Sequence, residues 1–512
     1  MKYYNASVYL NSQRLVKGCV IDVNEQGTIE SVEANPNYTP VEGDVDCHGY
    51  VATASFMDSA VTLPGADIFS IFGINLSTTM TLEGYLGIIA AATPDTCGIR
   101  GYGLNNDIIG DEASRIKKLL DAKCPDSPAY IYFDDFTVVL VNEYILEIAK
   151  EFMQIDQEAH IDGMLDLQEY ITLQEKTDIF KFSDEELRLG LMSLQYNLYA
   201  NGVTDIRVVN VIGGENTIRI LSELIENGSW KITTVLEVPI YSFYSEDNIA
   251  DKYEAYARYN NEYLYTAGIV ITLDGSIDSA QAALLKPYEC LPEWSGDILW
   301  NVNKLRRVID TFDEIGLNID IIAHGDRATE EAVSLLSALH GVGKKIITRA
   351  YMMSDMAILM SKGQDIIFCV EPNSVPYEGS YYEGDKEMIG DRIYSEYPIG
   401  RLMFAGMDVI SGSNLPTQSD ISPISGVYKA THRTNADDVT AYRMLLSYRD
   451  NPRELFGLLS HVGDLEVGHP ATFVLLDKDV VNMREDLLCN CKYMATIISG
   501  EIMYTNDILG VI

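Results

Sequence analysis

Positive charge is scarce in this 512-residue sequence: 37 Lys and Arg stand against 76 Asp and Glu, a formal net charge of −39. A protein that neutralises phosphates needs a surplus of basic side chains, so the deficit argues against nucleic acid as a partner. It argues equally against an anionic membrane surface. The negative charge itself reads as a well-solvated surface. Long apolar runs are missing too. Segments such as 366–370 and 88–92 fall far short of the ~18 residues of a membrane-spanning helix. The opening stretch, MKYYNASVYLNSQRLVKG, holds no signal-peptide apolar region, so the expected location is the cytoplasm. The eight cysteines are scattered, which suits reduced thiols in that compartment. Cys489 and Cys491 are the one close pair, and a CxC lacks the CxxC spacing that carries weight for zinc. There is no P-loop, no GxGxxG, no internal repeat and no low-complexity segment.

Apolar side chain is plentiful. Hydrophobic residues make up 47% and charged residues 22%, a globular balance with material for a sizeable core. The length suggests about three domains, or one large barrel with attachments. Short apolar runs separated by turn residues predict strands over 6–10, 18–23 and 28–32, and again over 471–476, 493–499 and 501–504. Both ends therefore read as one composite β-sandwich domain, residues 1–55 plus 466–512.

The middle alternates differently. Helical periodicity over 187–201, 215–227, 303–315, 330–339 and 353–360 alternates with strands over 203–209, 231–238, 319–323, 345–350 and 365–370. Glycines such as Gly202, Gly228, Gly316 and Gly363 follow the helices. Repeated strand–helix units predict a parallel sheet with crossover helices, and their number favours a (β/α)₈ barrel over an open sheet. The predicted class is thus α/β: a barrel over 56–465 with an inserted α/β segment at about 65–180.

Chemistry in such a barrel belongs at the C-terminal strand ends. Three patterns stand out there. Leu273-Asp274-Gly275-Ser276 is followed by Ala282-Ala283-Leu284-Leu285-Lys286-Pro287-Tyr288. His324-Gly325-Asp326-Arg327-Ala328 lies at a strand end. Val462 to Ala471 runs into Val474-Leu475-Leu476-Asp477. Gly49 to Leu63, Pro125-Asp126-Ser127-Pro128, Gly202-Val203-Thr204 and Gly412-Ser413-Asn414 add to the set. With these motifs the chain resembles the amidohydrolase superfamily over essentially its whole length, and looks closest to the family-3 branch that includes N-substituted formamide deformylase.

That resemblance implies a hydrolase of non-peptide C–N bonds, with one or two divalent metals at the barrel mouth. Such a metal lowers the pKa of bound water and polarises a carbonyl. The sequence departs from the pattern at the ligand positions. The His-x-His expected after Asp58 falls on Ala60 and Thr62. The bridging lysine falls on Val270, two further histidines on Ile322 and Arg349, and the last aspartate on Asn414. None of the seven histidines falls on a ligand position. No metal is therefore expected; a divalent ion such as zinc would need relocated ligands.

The replacements suggest their own chemistry. Arg349 puts a guanidinium where a cation is missing, and Glu371 on the next strand end could pair with it as a bidentate fork. Two roles stay open. One is an ion pair filling an inactive site. The other is a clamp on a substrate carboxylate, with Glu371 or His324 as acid or base. Asp58, Asp274, Asp326, Arg327, Asn414 and Arg433 are the substrate-binding candidates, although Asp274, Asp326 and Arg327 also suit a scaffold role. Ser374 and Ser413 lack a Ser–His–Asp order. His48, His160, His340 and His461 show no carboxylate cluster in the sequence, and His469 suits a turn. Tyrosine-rich stretches at 241–244, 253–265 and 377–382 could line a pocket or a subunit interface. The expected partner is a small molecule, and the family resemblance suggests a homodimer. Three functions compete: a diverged small-molecule-binding protein, a metal-independent enzyme, and a metal hydrolase with relocated ligands.

Overall fold

The computed structural model describes residues 1–512 apart from 11–13, 135, 157, 159, 377–382, 433–438, 459–464, 507–509 and 512. Eight parallel strands form its centre: β1 (Phe56–Leu63), β2 (Val203–Val211), β3 (Thr233–Ile240), β4 (Leu264–Thr272), β5 (Asn318–Ala323), β6 (Lys345–Arg349), β7 (Ile366–Val370) and β8 (Asp408–Ser411). They hydrogen-bond in sequence order from β1 to β8. The circle closes where the chain leaving β8 meets β1: Thr62 N–H donates to Leu415 O at 2.9 Å, and Val61 bridges Leu415. Glycine is required at this seam. A Cβ on Gly412 would come within 2.4 Å of the Ala60 nitrogen.

The outer helices start where their sequences cap them. Ser183 opens the helix Asp184–Ala200 through a capping box with Glu186, and Leu187, Leu191, Leu194 and Leu198 form its buried stripe. In Glu215–Glu226, Ile218, Leu221 and Ile225 turn inward at the same helical spacing. The helix predicted over 330–339 begins earlier, at Asp326, so Asp326 and Arg327 lie in its first turn. Between β4 and the helix Val302–Glu314 the chain runs through 273–301 without a helix or strand.

Two further sheets complete the molecule. Strands from both termini, running between Lys2 and Ala54 and between Phe473 and Val511, assemble one nine-stranded sheet. Its core includes Tyr3, Ile21, Phe473 and Ile497. The segment between β1 and β2 folds as a separate five-stranded sheet flanked by helices. It docks on the barrel mouth: Tyr102 OH donates to Pro416 O at 2.7 Å, and Thr417 OH donates to Asp134 O at 2.8 Å.

Candidate functional site

Alternate residues of a strand face the same side, so each barrel strand sends every second side chain inward. Arg207 on β2, Glu237 on β3 and Asp320 on β5 meet there, wholly buried. Arg207 donates from Nε and Nη2 to Glu237 at 2.9 and 2.7 Å, from Nη1 to Ser59 O at 2.6 Å, and from Nη2 to Asp320. Thr348 OH donates to Asp320 at 2.8 Å. Burial works against the guanidinium's charge, but Asp320 and Glu237 more than offset it. Burial pushes both carboxyls up despite the Arg207 charge between them.

Around this group packs an apolar layer of Ala60, Val209, Val270, Ile322, Ile346, Ile367, Cys369 and Ile410. Three positions that the resemblance gives to histidine or lysine thus share one hydrophobic cluster. Two residues beyond Ile322, on the same strand face, His324 emerges above it. The mouth over the layer holds a cavity of about 170 Å³ lined by His324, Arg349, Tyr351, Ser374 and Asn414 among others.

Arg349 is the hub of the mouth. Its Nη1 donates to His324 Nε2 at 2.9 Å, Nη2 to Asn414 Oδ1 at 3.1 Å, and Nε to Glu371 Oε1 at 3.4 Å. One guanidinium thereby joins side chains from the ends of β5, β7 and β8. A guanidinium can only donate, so His324 Nε2 accepts and its proton sits on Nδ1, which faces Asp274 Oδ1 at 3.3 Å. The Arg349–Glu371 contact is a single long bond and not the expected fork, because the other Glu371 oxygen accepts from Tyr351 OH. Asn414 Nδ2 donates to that same hydroxyl at 3.1 Å. Burial and the Glu371 charge hold the Tyr351 hydroxyl well above its ordinary pKa.

Tyr351 is the mouth residue that sequence reasoning missed. Arg349 and Ala350 both take positive φ, +77° and +44°, and Asn414 does so at +62°. Non-glycine residues rarely adopt this region, and such conformations cluster at functional sites. The double reversal aims Tyr351 at Glu371, and no periodicity signals it. Asn105 and Asp134 of the inserted segment also line the cavity, brought there only by tertiary docking.

The other candidates fall in different places. Asp274 anchors the site: Oδ1 accepts from His324 N–H at 2.8 Å, and Oδ2 from Ala283 and Gly325 N–H at 2.8 and 2.9 Å. Glycine at 325 permits this turn, since a Cβ would lie 2.1 Å from Ala283 O. Asp326 accepts from Leu285 N–H at 2.7 Å, and Arg327 donates to Gly296 O. Neither is among the cavity's lining residues, and both hold the 283–296 loop instead. Arg433 and His461 lie outside the described residues, as does the 377–382 stretch. His160 does have a carboxylate partner, Glu169 at 2.8 Å, far away in sequence from any barrel strand end. Ser413 Oγ accepts from the Leu415 N–H at 3.1 Å.

Asp58 lies beneath the mouth, fully buried. Its Oδ1 accepts from Ser413 N–H at 2.9 Å and Ala60 N–H at 3.1 Å, while Oδ2 meets no donor in hydrogen-bonding geometry. Burial pushes this carboxyl up to about 6, only partly offset by Ser413. The folded pKa therefore exceeds the unfolded one. The folded state binds the proton more tightly between about pH 4 and 6, so this group's contribution to stability falls as pH rises through that window. The loss is on the order of 3 kcal/mol at pH 8. Asp58→Asn keeps the Oδ1 bonds and removes the charge. It is expected to raise the melting temperature at pH 8 relative to the parent and to give no gain at pH 4, in thermal melts at both values.

The mouth's side chains do not make a good metal donor set. Among the described residues no three His, Cys, Asp or Glu side chains are grouped to hold an ion. A divalent site normally takes three or four ligands, and the available nitrogen of His324 faces a guanidinium.

Comparison with known proteins accords with this architecture. An Amidohydrolase family model matches residues 72–504. A Bacillus subtilis (strain 168) protein named "Putative amidohydrolase YtcJ" is 21% identical over 269 residues, 50% of this chain and 50% of that protein, so the match spans about half the relative's length. An uncharacterized metal-dependent hydrolase from Pyrococcus horikoshii OT3 superposes with a TM-score of 0.70 at 21% identity, covering 95% of this chain and 99% of that one. A Klebsiella pneumoniae 5-methylcytosine deaminase bound to 5-fluorocytosine does so with a TM-score of 0.55 at 13% identity, covering 100% and 98%. At these identities the superpositions establish the fold alone, but the family model spans most of the sequence: the chain belongs to the amidohydrolase family.

Proposed function

We propose that this chain binds and processes a small polar molecule at the barrel mouth without a metal ion, with Arg349 supplying the fixed positive charge. The observation that carries this is the guanidinium bonded at once to His324, Glu371 and Asn414. The apolar cluster holding Ala60, Val270 and Ile322 supports it, because aliphatic side chains occupy three positions that the family resemblance gives to metal ligands.

Two groups in the mouth can hold or move a proton, and His324 positions the cation: its Nε2 accepts from Arg349 and its Nδ1 faces Asp274. Glu371 is a buried carboxylate steadied by Arg349 and Tyr351. Tyr351 is a hydroxyl already committed as donor to Glu371, so a proton leaving substrate toward Glu371 would release that hydroxyl to donate elsewhere. A preorganised cation and donors of this kind stabilise a developing oxyanion. Membership of the amidohydrolase family supports amides, N-formyl compounds and lactones as the first substrates to try.

The test uses protein purified without chelator, analysed for zinc, manganese and iron and then assayed on amide, N-formyl and lactone panels with and without EDTA. The expected result is far less than one metal per chain, with binding or turnover unchanged by EDTA and abolished by Glu371→Gln. A stoichiometric metal whose removal abolishes turnover would falsify the proposal and favour a hydrolase with relocated ligands. Saturable binding without turnover would reduce the site to a receptor.

A further inference from the structure

A second cavity opens on the same side of the barrel as the mouth, across the 274–281 loop. Its volume is about 400 Å³, against about 170 Å³ for the mouth, and the two share no lining residue among the described residues. That volume falls within the ~300–1,000 Å³ typical of small-molecule sites. Val138 and Leu167 of the inserted segment form one wall, Phe243 after β3 another, and Trp294 and Leu299 of the irregular stretch after β4 the third.

The aromatic walls are held in place. Phe243 stacks on Tyr241 at 5.4 Å between ring centres, and its edge meets Tyr244 at 5.0 Å. Trp294 is fixed by its indole N–H, which donates to Ala280 O at 2.7 Å. Even so, Trp294 and Leu299 remain 41% and 43% exposed. Two large apolar side chains, one of them anchored, open onto a single cavity, as surfaces that receive a ligand do.

Charge narrows the ligand. Among the described residues no Lys, Arg or His lines this cavity, whereas Asp166, Asp274 and Asp297 do. Asp166 caps a helix and Asp274 holds backbone N–H groups. Asp297 is exposed at the rim and forms no ion pair among the described residues. An anion would meet three carboxylates and no positive charge among the described lining residues. A cation would meet carboxylates beside the aromatic side chains of Phe243 and Trp294, a combination that favours organic cations.

We infer that this cavity is a second small-molecule site, taking a flat apolar organic cation of the arylalkylamine class. It does not depend on what the mouth does, since the lining residues differ. The chain carries its own reporter: of three tryptophans, Trp230 and Trp300 are buried and Trp294 lines the cavity.

The experiment titrates the full chain at low salt with phenethylamine, 2-phenylethanol and phenylacetate, reading tryptophan fluorescence and binding heat. Phenethylamine should give a saturable fluorescence change, and phenylacetate none. Asp297→Asn should weaken phenethylamine roughly threefold to fivefold, the scale of an exposed charge. Phe243→Ala should weaken it by about tenfold, and Trp294→Phe should remove the fluorescence change while binding heat persists. The inference fails if phenylacetate binds as tightly as phenethylamine, or if no probe saturates. It fails equally if phenethylamine binding survives Asp297→Asn and Phe243→Ala unchanged, which would place the amine elsewhere.

Discussion

Replacing Arg207 by Met is expected to cost about 3–5 kcal/mol of folding stability, because it strands two buried carboxyls without their counter-ion. Total stabilities are only about 5–15 kcal/mol, so the effect is large. Glu237 and Asp320 both sit at zero exposure against this guanidinium. Without it, burial and mutual repulsion raise their pKa values further above the unfolded range near 4. The folded state then holds its protons ever more tightly than the unfolded state, and stability falls as pH rises. The urea midpoint of Arg207→Met should therefore drop more at pH 8 than at pH 5.5. Adding Glu237→Gln and Asp320→Asn should recover most of the loss at pH 8, since neutral amides remove the stranded charge. Equal loss at both pH values, with no recovery, would show that Arg207 acts through packing alone.

Arg349→Met is expected to have the next largest effect, about 3 kcal/mol, and to disable the mouth. It leaves Glu371 fully buried with only Tyr351 as an established partner and removes the donor that fixes the His324 tautomer. Arg349→Lys should not rescue it. A single ammonium cannot reach His324, Glu371 and Asn414 together, as the planar fork does. Arg349→Met combined with Glu371→Gln should lose much less than the sum of the two single changes, because the pair is coupled. Thermal melts give the stability cycle, and the substrate panel gives the functional one. Full additivity in the melts would mean that the two side chains do not interact.

The barrel was legible in the sequence because its signals are local. Helical stripes such as Leu187-Leu191-Leu194-Leu198 and glycines at helix ends mark units whose number allows little but a closed parallel sheet. Motif spacing also led to the expectation that Ala60, Thr62, Val270, Ile322, Arg349 and Asn414 stand where the resemblance puts metal ligands. Amphipathic spacing and motif order thus determined the architecture and the identity of the cation at Arg349.

Only the tertiary structure decided what those residues do to one another. Asp274, Asp326 and Arg327 look alike as polar residues at strand ends, yet one orients His324 and the other two tie a loop. That difference depends on where the 283–296 segment returns, at long range. Tyr351 entered the site because two consecutive residues take positive φ, a strained turn that no pattern encodes. The buried Arg207 group escaped notice because Arg207, Glu237 and Asp320 are far apart in sequence and lie on three different strands. A charge can be stable there only when the closed barrel brings its partners within hydrogen-bonding distance, and closure is a property of the whole fold.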